Sequence, residues 1–173
     1  MPVDIPEADP ALSLWQQCNP ADLEKFWHLL GQFPVKVGEI ARALGISVIS
    51  KTLQSEISGL IKLSGGQFQI EVNNTDLPVR QRFTVCHEIS HYLLHRDQID
   101  ADGITDNILY RSRLSNRQEA QANKLAAAIL LPWNLVLEWH NSTFDTPPRQ
   151  DTVEEIAKAF KASRLAVGFR FGF

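Results

Sequence analysis

Residues 83–95 read FTVCHEISHYLLH, an apolar run with the period of a helix into which His87, Glu88 and His91 are set. This stretch constrains the fold more than any other. A helix that is apolar on most sides must be buried, and burying an imidazole or a carboxylate is costly unless something compensates it. Residues four apart on a helix project from one face. His87 and His91 can therefore bring two imidazole nitrogens to one ion, at about 2.1 Å from each if the ion is zinc. Glu88 follows His87 by one residue and points away from the axis of the pair, where it reaches a water at the ion rather than the ion itself. That is the position of a general base.

Two histidines need a third protein ligand if a fourth position is to stay open for water. Asp97 lies six residues past His91, the offset of the HExxHxxGxx(H/D) pattern, but that arrangement needs a glycine to turn the chain and this sequence has Leu94 there. His95 is eight residues from His87, about 12 Å along a helix axis and too far to share the ion. It reads as a helix-end residue favoured by the dipole. Glu119 is the better candidate. It begins EAQANKLAAAILLP, whose alanines let a second helix pack closely on the first, and Asn123 on the same face could hydrogen-bond to a ligating histidine. A first-turn acid is also what a helix dipole favours, so the residues alone leave both roles open for Glu119.

The surroundings predict an α+β fold. With 173 residues, 44% hydrophobic and 21% charged, the chain suits a single domain with a real core. Residues 1–18 form a Pro-rich acidic arm, mobile or strapped, followed by a core over 19–135 and a helical region over 136–173. Asn19 and Pro20 start a helix over about 20–30, and PVKVGEIARALGIS gives a short one ending at Gly45. Three strands follow in ISVISKTL, EISGLIKL and GQFQIEV, expected to form a small antiparallel sheet with the turn at 64–66. A long helix spans about 79–95, and a polar link over 96–115 has a short strand near ILYRSR. Helices are expected from Ser115 or Asn116 to Pro132, over PWNLVLEWH and DTVEEIAKAF, and near the C-terminus.

A net charge of −3 provides no basic field for nucleic acid, so direct DNA binding through residues 34–50 is not expected. No apolar run has the length of a membrane span, and the N-terminal residues are unlike a signal peptide, which points to a cytoplasmic protein. Cys18 and Cys86 form no CxxC pair and are expected as reduced thiols. Cys86 reads as a small buried filler despite adjoining His87. Trp133 and Trp139 are either core or a partner-binding surface.

RFTVCHEISHYLLH followed by EAQANKLAAAILLP resembles the ImmA/IrrE family of zinc metallopeptidases, whose members read RFTxAHExGHxxLH and then ExxANxFAxxLLMP. The resemblance covers roughly residues 40–135. It implies a zincin-like helical core, His87, His91 and Glu119 as metal ligands, Glu88 as general base, and Zn2+ as cofactor, with Mn2+ or Fe2+ also suited to such donors. It implies as substrate a helix-turn-helix transcriptional repressor, cleaved or inactivated to release a stress or mobile-element response. This sequence departs from the pattern at Cys86, Ser90, Lys124-Leu125 and Leu131, none of them a ligand or the base. The rival expectation is a metal-bearing partner that pairs with a repressor without cutting it, as in a toxin-antitoxin module. The oxyanion donor is open among Tyr110, Arg111, Arg113 and His140, the substrate strand is expected to add along QFQIEVN, and the oligomeric state is not readable.

Overall fold

The long buried helix forms as the spacing predicts, over Pro78–His95 (α4), with Pro78 at its first turn. It is buried without interruption from Thr84 to Leu93, which an all-round apolar helix requires. The computed structural model describes residues 4–100, 103–107 and 115–173. Before α4 come α1 (Leu12–Trp15), α2 (Pro20–Phe26), a 3-10 turn over Trp27–Gly31 and α3 (Val37–Ala43). The Asn19 side chain caps α2 by accepting from the Ala21 amide at 2.9 Å.

The strands are β1 (Ser47–Lys51), β2 (Ile57–Ser64), β3 (Gln67–Asn73) and β4 (Ile104–Asn107), in the spatial order β1-β3-β2-β4. The β2–β3 hairpin turns at Gly65 and Gly66, both at positive φ, as a tight turn matched to strand twist requires. Two features correct the expected antiparallel three-stranded sheet. A fourth strand pairs with β2, and β1 runs parallel to β3 instead of pairing with β2. The residues between β1 and β2, TLQSE, carry no hairpin-type turn, so the chain crosses the end of β3 and returns on its other side. Asn73 holds that crossing. Its buried amide donates to the carbonyls of Gln54 at 3.2 Å and Ile57 at 2.8 Å, and its Oδ1 accepts from the Leu53 amide at 3.4 Å. The expected strand near ILYRSR lies outside the described residues.

The sheet packs one face on α4, where Ile61 and Ile70 pair with no exposure and Phe68 meets Tyr92 edge-on at 5.0 Å. At Gly59 a β-carbon would fall 2.4 Å from Thr84 Cγ2 and 2.8 Å from the Glu71 carbonyl, so only glycine permits this approach of strand to helix. On α4's other side lies α5 (Asn116–Leu130), opened by a Ser115–Gln118 capping box. After it come α6 (Trp133–Phe144), α7 (Val153–Phe160) and α8 (Arg164–Phe171), the last packed on α5.

The N-terminal arm is a strap. Ile5 is buried, and Asp9 accepts from the buried Arg170 guanidinium at 2.6 Å, while Arg170 Nε donates to the Leu131 carbonyl at 2.9 Å. The chain's two ends are thus joined at the C-terminal end of α5.

Candidate metal centre

α4 and α5 bring together residues that the sequence separates by nearly thirty positions. His87 Nε2 lies 2.9 Å from His91 Nε2, and Glu119 Oε2 lies 3.3 Å from the first and 3.7 Å from the second. Among the described residues these three are the one group of histidines, cysteines and acids placed to hold a metal. Three Lewis-basic atoms facing one another repel unless a proton or a cation lies among them. A tetrahedral ion about 2.1 Å from each would set them about 3.4 Å apart, a value the three distances bracket. The residues fit a metal with one position left open.

Protonation agrees with that use. Burial pushes the His91 imidazole down to about 4, with Glu119 opposing the shift, so His91 is neutral at neutral pH. Its Nδ1 lies 3.2 Å from His95 Nδ1, and His95 Nε2 lies 3.3 Å from Gln121 Oε1. Gln121 Oε1 can only accept, so His95 Nε2 carries a proton and neutral His95 Nδ1 does not. His91 Nδ1–H must then donate to it, which leaves the Nε2 lone pair of His91 aimed at the site. His95 thus faces His91 Nδ1, on the side away from the Nε2 atoms that meet Glu119, and does more than end a helix. Asn123 makes no hydrogen bond to either histidine among the described residues; His95 and Gln121 do the orienting. The signal was the second i,i+4 step, from His91 to His95.

Glu88 is fully buried, and its Oε1 lies 3.8 Å from the point where a side chain on Gly59 would begin. A larger residue there would crowd the carboxylate. Asp97 is exposed in a 3-10 turn and apart from the site. His140 is fixed elsewhere, its Nδ1 on the Thr146 carbonyl and its Nε2 2.9 Å from Thr152 Oγ1, which removes it as an oxyanion donor. Tyr110, Arg111 and Arg113 lie outside the described residues. Cys86 is fully buried, its thiol pushed up to about 12 by that burial, with Arg82 opposing it; the filler reading fits and oxidant sensing does not. Ser90, where the related motif has glycine, is accommodated by donating to the Cys86 carbonyl at 2.7 Å. Trp139 packs edge-on against Phe160 at 5.7 Å, and Trp133 stacks on Phe171 at 5.4 Å.

Phe83, one turn before His87, places its ring 6.3 Å from the imidazole and stacks on Phe169 of α8 at 5.9 Å. Leu165, one turn earlier in α8, is 65% exposed. An apolar ledge thus adjoins the metal site.

Comparison with protein families matches residues 41–171 to the Peptidase_M78 model, the IrrE N-terminal-like domain. The match reaches past the two motifs to α8, further than the residues 40–135 carried by the sequence resemblance. No curated protein matches the chain.

Proposed function

Since the chain belongs to the IrrE N-terminal-like family of M78 metallopeptidases, we propose that it is a zinc-dependent endopeptidase of narrow specificity acting on a helix-turn-helix transcriptional repressor. The observation that carries this reading is the meeting of His87, His91 and Glu119 beside a wholly buried Glu88. Zinc is the family's metal, and two imidazoles and one carboxylate suit it; manganese and iron remain chemically acceptable. When bound, the ion supplies Lewis acidity, which activates water and polarises the scissile carbonyl.

The chain's own residues supply the rest. Glu88 takes the proton of the attacking water on a carboxylate oxygen and returns it to the leaving amine. His95 and Gln121 keep His91 in the ligating tautomer throughout. QFQIEVN is not available as the substrate edge, because β3 lies between β1 and β2. Among the described residues the edges of the sheet are β1 and β4; β4 lies beside β2, the strand whose Gly59 touches the active helix, and an extended substrate segment would add on that side through main-chain hydrogen bonds. The Phe83–Phe169 ledge suits an apolar side chain next to the scissile bond. Recognition of a strand in extended form, plus one apolar anchor, fits a protein substrate rather than a small molecule.

The test is to incubate the zinc-loaded protein with helix-turn-helix repressors drawn from its genomic neighbourhood, wild type next to Glu88→Gln, and identify products by mass spectrometry. A discrete cut by wild type alone is expected. An intact repressor that co-elutes with both proteins would instead make this a non-cleaving partner of the toxin-antitoxin kind.

A further inference from the structure

The face of α4 that carries His87 continues away from the metal centre. Val79, Phe83 and His87 are spaced four apart and share that face. Beside them α8 presents Leu165 and Phe169, also four apart and both exposed, with the Phe83 and Phe169 rings stacked at 5.9 Å. Earlier in both helices, Val79 and Arg164 line one open groove of about 340 Å³.

The groove has an apolar floor in Val79, Ala157 and Ala162 and a basic rim in Lys158, Lys161 and Arg164. The one acid among its lining residues, Glu154, lies 3.5 Å from Arg164. Lys158 and Lys161 are exposed and have no ion-pair partner among the described residues. Lys161 occupies the left-handed C-cap of α7 at φ 50°, where glycine is the usual residue. Its carbonyl accepts from Arg82 Nε at 3.1 Å, which fastens this turn to α4 one residue before Phe83. A chain of net charge −3 thus keeps two uncompensated cations at this place. They favour carboxylates, and the apolar floor beside them suits a peptide better than a nucleic-acid backbone, which needs a longer basic track. Val79 lies eight residues from His87, about 12 Å along the axis, a span that three or four residues of extended chain cover.

We propose that this groove docks an acidic segment of the protein substrate, with Glu or Asp three or four residues from the scissile bond and an apolar side chain between them on the Phe83–Phe169 ledge. The inference deepens the peptidase reading and rests on it for the identity of the occupant.

The probes are fluorescein-labelled peptides with a central leucine and, three and four residues away on both sides, pairs of glutamates, glutamines or lysines. Binding is read by fluorescence anisotropy on the zinc-loaded Glu88→Gln variant, which keeps the three candidate ligands, and cleavage is read separately on the wild type. The glutamate peptide is expected to bind about fivefold more tightly than the glutamine peptide, against the protein's overall charge, and the lysine peptide most weakly. Lys158→Gln with Lys161→Gln, both at exposed positions, should erase that preference, and Phe169→Ala should weaken all three peptides alike. Equal binding of the three peptides, no saturable binding of any, or a glutamate preference that survives the double substitution would overturn the proposal. A preference that the double substitution erases, without a cut by the wild type, upholds the docking site and counts against the peptidase reading. A cut that ignores the charges does the opposite.

Discussion

At the scale of single residues, the metal centre rests on one carboxylate from a second helix. Glu119→Ala leaves two histidines, and metal affinity should fall by at least about 100-fold, read by competition with a chelator; unchanged stoichiometry and affinity would place the third ligand elsewhere. The chain of contacts from His91 through His95 to Gln121 makes a finer claim. Gln121→Leu removes the acceptor that fixes the His95 tautomer, and metal affinity should drop about tenfold while the far-UV spectrum and thermal midpoint hardly change. An effect on stability alone, without one on affinity, would reduce Gln121 to packing. The histidine pair and the buried Glu88 beside it were legible in the sequence because their relation is local: one helix fixes it through a four-residue step. Gln121 was not, because which residue meets His95 depends on how two helices rotate against each other. Asn123, expected from the face it shares with Glu119, lies two residues and so about 200° around α5 from Gln121, the residue that meets His95.

At the scale of elements, the sheet is organised around polar side chains on its central strand. Glu71 of β3 is nearly buried, and its Oε1 takes Lys62 Nζ at 2.8 Å and Lys51 Nζ at 3.0 Å from the strands on either side. The hydrogen bond from Lys62 is the main reason its pKa is lowered, with Lys51 adding and burial opposing. A carboxylate with a depressed folded pKa contributes stability that is complete above its unfolded value, near about 4.3, and is lost as pH falls through the folded value. The urea midpoint of wild type should therefore exceed that of Glu71→Gln at about pH 7, and the gap should close as pH drops below about 4. A gap independent of pH would mean that packing, not charge, is what Glu71 contributes. Strand existence and the Gly65-Gly66 turn were readable from alternation and glycine placement. Strand order was not, because pairing β1 with β3 and not β2 is a decision between two non-local partners, made by the Asn73 side chain gripping the crossing loop.

At the scale of the whole molecule, the ends of the chain are fastened to the helix that carries Glu119. Asp9→Ala leaves the Arg170 guanidinium buried without its carboxylate, and such a loss costs about 3 kcal/mol, to be read by denaturant unfolding. If Asp9→Ala were as stable as wild type, the clasp would be incidental. The sequence offered only a Pro-rich acidic arm for residues 1–18, since composition says nothing of an arginine far along the chain that receives one of its acids. What the sequence determined by itself is what short-range geometry dictates: the buried helix with its two histidines and the glutamate between them, the capped helix that follows, and a small sheet between turns. What only the tertiary structure decided is whatever needs two distant segments to meet. Glu119 joins His87 and His91 in the candidate metal site because α5 packs against α4 at that rotation. The groove beside Val79 forms because α7 and α8 meet the start of α4. Local periodicity fixes which face of each element is apolar, and the packing of those faces fixes what the polar residues among them can touch.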